Sequence, residues 1–275
     1  MKTFEYSFTA PTSDIQHDML VTMLADLGFD SFMEDDMGLK AYCTTDQRDD
    51  QAVVELLQME ALRGLKLLGV EEMPDKDWNE LWEASYQPVI VNERCRVRAP
   101  FHAPDSSFEF DLVIEPKMSF GTANHETTAQ IIQLMLETDF KGKEVLDMGS
   151  GTAVLAILAK KLGSSRTMAI DNDEWAYRNA FTNCELNGIS NIEIVLGDAA
   201  AIKGSFDVVL ANINRNILLR DMHCYVDAMR PQAHIFFSGF YTEDLESIKA
   251  EAARNGLRYV RHLAKNNWVA AEFEK

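Results

Sequence analysis

From Glu144 onward the chain alternates short apolar, strand-like runs with helical stretches, and that alternation constrains the fold more than any other feature. Strand character falls on Glu144–Asp147, Thr167–Asp171, Ile192–Gly197, Asp207–Ala211 and His234–Ser238. Helices are expected between them, near Ala153–Leu162, Glu174–Asn187, Arg215–Met229 and Glu243–Asn255. Two further strands, about Arg258–Leu263 and Trp268–Phe273, follow. Strands linked through helices by short loops run parallel, and a parallel sheet needs cover on both faces. The expected architecture is α/β: a Rossmann-like, doubly wound, seven-stranded and mostly parallel sheet.

The first part of the chain reads differently. Phe4-Glu5-Tyr6-Ser7-Phe8 alternates aromatic and polar residues, as a half-buried strand does. Ser13 or Asp14 can cap a helix with apolar Ile15, Met19, Met23 and Leu27, stopped by Gly28. Strands around Ser31–Glu34 and Leu39–Thr44, a helix over Asp49–Leu62 and a strand near Leu65–Val70 complete β-α-β-β-α-β, the ferredoxin-like α+β order. Pro74 breaks the pattern, and from Asp77 a short helix carries Trp78 and Trp82 on one face, a spacing that suits packing. Val89–Arg98 and Phe108–Ile114 read as extended. The expected division is residues 1–73, a linker helix over 74–90, and a larger domain over 91–275.

Composition narrows the function. The longest apolar run, Ala153 to Ala159, is far short of the ~20 residues a membrane helix needs. Met1-Lys2-Thr3-Phe4-Glu5 shows no basic patch ahead of an apolar stretch. Cys43, Cys95, Cys184 and Cys224 lie far apart and read as reduced thiols of a cytoplasmic protein. Twenty-six basic and 44 acidic residues give a net charge of −18, which repels nucleic acid. Residues 1–90 hold 19 Asp/Glu and 6 Lys/Arg, a local charge of −13. That surplus aids solubility or steers a basic partner. The six histidines share no ligand-like spacing with cysteines or acids, so no metal is expected.

The chemistry gathers at the strand ends. Asp147-Met148-Gly149-Ser150-Gly151-Thr152-Ala153 makes the first strand-to-helix turn, where Gly149 and Gly151 let the backbone approach a ligand. Asp171 ends the second strand, where a carboxylate can accept both hydroxyls of a ribose, and Asp198 follows the third, near where a purine amine would lie. A dinucleotide enzyme shares the glycines and the ribose acid. Asp147 beside the glycines instead suits a cationic ligand end such as the α-amino group of methionine, which points to S-adenosylmethionine. Each acid also has a plainer role: Asp147 can cap the next helix, and Asp171 can brace the turn to Asp173. Asn212 ends the fourth strand, where its amide can accept from a target amine and donate to a neighbour, while Asn214 suits a helix cap. Thr127-Thr128 are expected to open a helix over Ala129–Leu136, with hydroxyls and a helix N-terminus available to a carboxylate. His125 stands nearby as a possible base or a structural hydrogen-bonder.

These residues together resemble the ribosomal protein L-eleven methyltransferases, a family of class I S-adenosylmethionine-dependent enzymes. The resemblance rests on Phe120-Gly121-Thr122 with His125, Thr127 and Thr128, on the Asp147/Gly149/Gly151 turn, Asp171, Asn187-Gly188 and Ala211-Asn212-Ile213. Ser238-Gly239-Phe240, the Trp78/Trp82 helix and Asn267-Trp268-Val269-Ala270 extend it over the whole chain. It implies an enzyme that methylates lysine side chains and the N-terminal amine of a basic ribosomal protein, recognised by the small N-terminal domain; nothing in the sequence demands more than a monomer. It also implies Thr128, Gly149, Asp171 and Asn212 as cofactor positions; for an enzyme of this kind Asn212 is expected to orient the amine through its side-chain carbonyl. Lys117, Ala123, Glu126 and Ala153 depart from the family's usual Gly, Gly, Pro and Gly. Other class I methyltransferases, a nicotinamide oxidoreductase and a non-catalytic docking protein are the alternatives. Glutamine-directed enzymes carry Asn-Pro-Pro-Tyr where Asn212-Ile213-Asn214-Arg215 stands here.

Overall fold

The computed structural model describes residues 2–35, 38–73, 86–116 and 126–275, in two compact units, Met1–Ser85 and Tyr86–Lys275. The expected linker helix with Trp78 and Trp82, and the stretch from Lys117 to His125, lie outside the described residues.

In the first unit β1 (Thr3–Thr9), α1 (Asp14–Asp26), β2 (Ser31–Asp35), β3 (Gly38–Thr44), α2 (Asp50–Leu56) and β4 (Leu67–Glu72) follow the expected order. Their sheet runs β2-β3-β1-β4 with every pair antiparallel, the ferredoxin-like arrangement. Phe4, Tyr6 and Phe8 alternate into a core with Leu20, Leu24, Leu39 and Val53. Two expectations need correction. Helix α2 ends at Leu56, and a separate turn over Glu60–Leu62 replaces its expected last part. Helix α1, capped by Ser13 at Gln16 N, buries Gln16, Leu20 and Leu24, leaving Ile15 74% exposed. The Gln16 side-chain amide donates to Arg63 O at 3.2 Å while its carbonyl accepts from Thr12 N at 2.9 Å. Met19, Met23 and Leu27 pack half-buried against the same core as expected, so only Ile15 departs, where the partnered amide of Gln16 takes the buried place.

The second unit opens with β5 (Val89–Val91), β6 (Cys95–Arg98) and β7 (Phe110–Val113), a small sheet in which β5 is antiparallel and β7 parallel to β6. Then come α3 (Glu126–Leu136), β8 (Glu144–Met148), α4 (Val154–Lys161), β9 (Arg166–Asp171), α5 (Glu174–Leu186) and β10 (Ile192–Leu196). They are followed by β11 (Phe206–Asn212), α6 (Arg215–Asp227), β12 (Met229–Tyr241), α7 (Leu245–Arg254), β13 (Arg258–Lys265) and β14 (Trp268–Glu274). The seven strands order as β10-β9-β8-β11-β12-β14-β13, with β14 antiparallel to both neighbours. One apolar cluster, with α3 and α4, covers one face and a second, with α6 and α7, covers the other. This is the doubly wound, mostly parallel sheet expected. From β8 the order proceeds one way to β9 and β10 and the other way to β11 and β12. The crevice beyond the carboxyl ends of β8 and β11 is therefore a topological switch point, where such sheets bind ligands. Among the described residues no helix is long and apolar enough to cross a membrane, and no metal-binding group of His, Cys, Asp and Glu is present.

Candidate active site

A cavity of about 440 Å³ opens at that switch point, a size suited to a small-molecule site (roughly 300–1,000 Å³). Its middle is the turn after β8. Gly149 N and Ser150 N both donate to Ile170 O, at 2.8 and 3.1 Å, folding the chain back across the end of β9. Gly149 has φ +68°, and a Cβ there would lie 2.8 Å from Cγ1 of Ile213, so only glycine fits. Across the cavity Gly239 (φ +92°) lets a bulge in β12 pass Ile213, whose carbonyl oxygen would be 2.4 Å from any Cβ.

On one side Asp171 reaches back over the turn. Its Oδ2 accepts from Gly151 N at 2.8 Å and its Oδ1 from Asp173 N at 2.9 Å. Each oxygen keeps a further acceptor position. Asp173 caps α5 by accepting from Trp175 N and Ala176 N. On the other side Asn212 Nδ2 donates to Thr128 Oγ1 at 3.1 Å, joining the end of β11 to the first turn of α3. That donation fixes the amide so that its carbonyl oxygen is the free end. Thr127 and Thr128 are buried in the first described turn of α3, ahead of the expected Ala129–Leu136. Asn214 caps α6 through Ile217 N. Trp268 lines this end, its ring 4.2 Å from that of Tyr241 and its backbone carbonyl accepting from Gln130 Nε2 at 3.2 Å.

Of the residues the sequence singles out, Thr128, Gly149, Gly151, Asp171 and Asn212 line this one cavity. Asp147 and Asp198 do not. Asp147 is buried beneath the turn, where its Oδ2 accepts from Ala156 N at 3.0 Å. Ala153, at the N-cap of α4 with φ 61°, has no side-chain acceptor, and Asp147 supplies one from across the turn. Asp198 is exposed and caps its own short turn through Ala200 N. The residues sequence reasoning misses are Trp175 and Trp268 as cavity walls. For Trp175 the only signal is an aromatic beside the Asp171–Asp173 turn; for Trp268 none exists apart from the family resemblance.

Burial pushes the Asp147 carboxyl up to about 7, against the pull of the Ala156 N–H, and the negative charge of Asp171 adds to the rise. A raised folded pKa means that stability is fully present below the unfolded value near 3.8 and is lost as pH climbs through about 7. Asp147→Asn keeps the acceptor for Ala156 N without the charge. Between pH 4 and 8 the wild type is expected to lose about 4 kcal/mol relative to this variant. Urea unfolding at stepped pH measures the difference; parallel stability profiles would refute it.

The family model for "Ribosomal protein L11 methyltransferase (PrmA)" matches residues 11–275. The ribosomal protein L11 methyltransferase of Bacteroides fragilis is 44% identical over 278 residues, covering 99% of each chain. That of Chlorobaculum tepidum is 32% identical, covering 94% of this chain and 92% of its own. Among solved structures, the ribosomal protein L11 methylase of Lactobacillus delbrueckii subsp. bulgaricus superposes with a TM-score of 0.64 at 25% identity, over 68% of this chain and 98% of its own. With the glycine turn, Asp171 and the Asn212–Thr128 pair on one cavity of a switch-point sheet, and with relatives matching end to end, the chain belongs to the ribosomal protein L11 methyltransferase family.

Proposed function

We propose that the chain is an S-adenosylmethionine-dependent methyltransferase of ribosomal protein L11, transferring methyl groups to lysine side chains and the N-terminal amine, in the cytoplasm and as a monomer. The observation that carries this reading is the order of groups along one cavity. The Asn212–Thr128 pair stands at one end, the side-chain-free Gly149 turn in the middle and the Asp171 carboxylate at the other. These residues fit the cofactor. Asp171 has acceptor positions to spare for a ribose diol, and the missing Cβ of Gly149 lets the turn close against the Ile213 side chain, so that backbone forms this part of the cavity wall.

When bound, the cofactor supplies a methyl group already activated on a sulfonium, so the protein's own contribution is alignment and exclusion of water. Thr128 holds the Asn212 amide, and the free Asn212 carbonyl oxygen accepts from the incoming neutral amine and points its lone pair toward the methyl. An ordinary lysine, with pKa near ~10.4, must first lose a proton, and a desolvated pocket lowers that value. Solvent takes the proton. Residues 1–73 are assigned to substrate recognition, their acidic surplus drawing in a basic protein.

Transfer of labelled methyl from S-adenosylmethionine to unmodified ribosomal proteins, resolved by intact mass, tests the whole reading. Label on L11 in one-methyl steps, at a rate that falls with added salt, is expected. Label on other ribosomal proteins with none on L11 would overturn the substrate assignment.

A further inference from the structure

The sequence assigns Asp198 to the far end of the cavity, and the structure gives that end a different wall. Beyond Asp171 the lining consists of Asn172, Asp173, Ala176 and Trp175. Trp175 sits in the first turn of α5 with its backbone fixed by the Asp173 carboxylate, 2.6 Å from Trp175 N. Its side chain is 74% exposed and makes no ring contact or hydrogen bond among the described residues. An indole is a large apolar surface with a flat π face, and such groups are normally covered. Here one stands at the mouth of a cavity, on a rigid helix start, one step past a carboxylate placed for a ribose.

We propose that Trp175 is a cofactor-positioning residue that stacks on the adenine of S-adenosylmethionine. The inference rests on the cofactor reading above. A nucleoside whose diol lies on Asp171, and whose sulfur end lies toward Asn212, extends its base past the carboxylate. Trp175 provides the aromatic face there, while Asp198 lies outside the lining of the cavity and accepts from Ala200 N. Stacking against an aromatic ring carries no requirement for an edge contact.

Titration of the full-length protein with S-adenosylhomocysteine, followed by calorimetry and by tryptophan emission, tests the proposal with wild type, Trp175→Leu and Trp175→Phe. The leucine variant is expected to bind about ten-fold or more weakly, and the phenylalanine variant within about three-fold of wild type. The wild-type emission change should shrink in both, since neither retains the indole. The side chain is exposed, so both variants fold. Equal affinity in wild type and the leucine variant would overturn the role of Trp175 while leaving the cofactor reading intact. So would unchanged affinity for S-adenosylhomocysteine with a raised KM for L11, which would assign the indole to the protein substrate. Failure of the wild type itself to bind would overturn both readings together.

Discussion

Asn212→Ala is expected to lower kcat by about 10²-fold or more while weakening S-adenosylhomocysteine binding only a few-fold. The asymmetry follows from where the amide sits. Asn212 ends β11, half-buried, and spends its Nδ2 donor on Thr128 Oγ1 at 3.1 Å. What remains is one fixed acceptor at the end of the cavity away from Asp171. Removing it leaves the glycine turn and Asp171 in place but frees the amine to rotate off the line of attack. Thr128→Val should reproduce part of the loss, because the amide then loses the partner that fixes its orientation. Single-turnover rates at saturating cofactor separate the two steps. A kcat within about three-fold of wild type for Asn212→Ala would sink the assignment.

The second large effect belongs to Asp171. Replacement by alanine is expected to weaken S-adenosylhomocysteine binding by about 10²-fold or more, since charge-assisted hydrogen bonds are the strong ones. Two losses combine. The acceptors for a ribose diol vanish, and Gly151 N and Asp173 N lose the carboxylate that ties the first strand's turn to the second's. Asp171→Asn retains a single acceptor and should fall between. Calorimetry gives the affinities, and Asp171→Ala binding within about five-fold of wild type would show that the carboxylate serves the turn alone.

Much of this was legible in the sequence where local pattern decides. The seven strands of the large sheet and the order of the small domain follow from apolar runs, caps and glycine stops whose causes lie within a few residues. The glycine turn, Asp171 and Asn212 were legible because a doubly wound sheet brings consecutive strand ends to one edge. What escaped reading depends on partners distant in sequence. Gln16 takes the buried place that Ile15 was expected to fill because the Arg63 carbonyl lies beneath it, 47 residues on. Asp147 resembles a ligand acid until Ala153 is seen to lack a cap, whereupon the carboxylate belongs to α4. Asp198 follows its strand as expected, yet a turn three residues long claims its oxygen. Side chains with a nearby backbone donor satisfy it first, and only the folded chain reveals which donors are near.

Asp171 and Asp173 line the cavity, and among the described residues on its wall there is no lysine or arginine. Methyl transfer turns a positively charged sulfonium into a neutral thioether. With the ribose on Asp171 and the sulfur toward Asn212, the two carboxylates attract the charged cofactor from the nucleoside end, and that long-range attraction ends when the charge is lost. Among the described residues of the lining, the balance of charge therefore favours the positively charged donor over its neutral product.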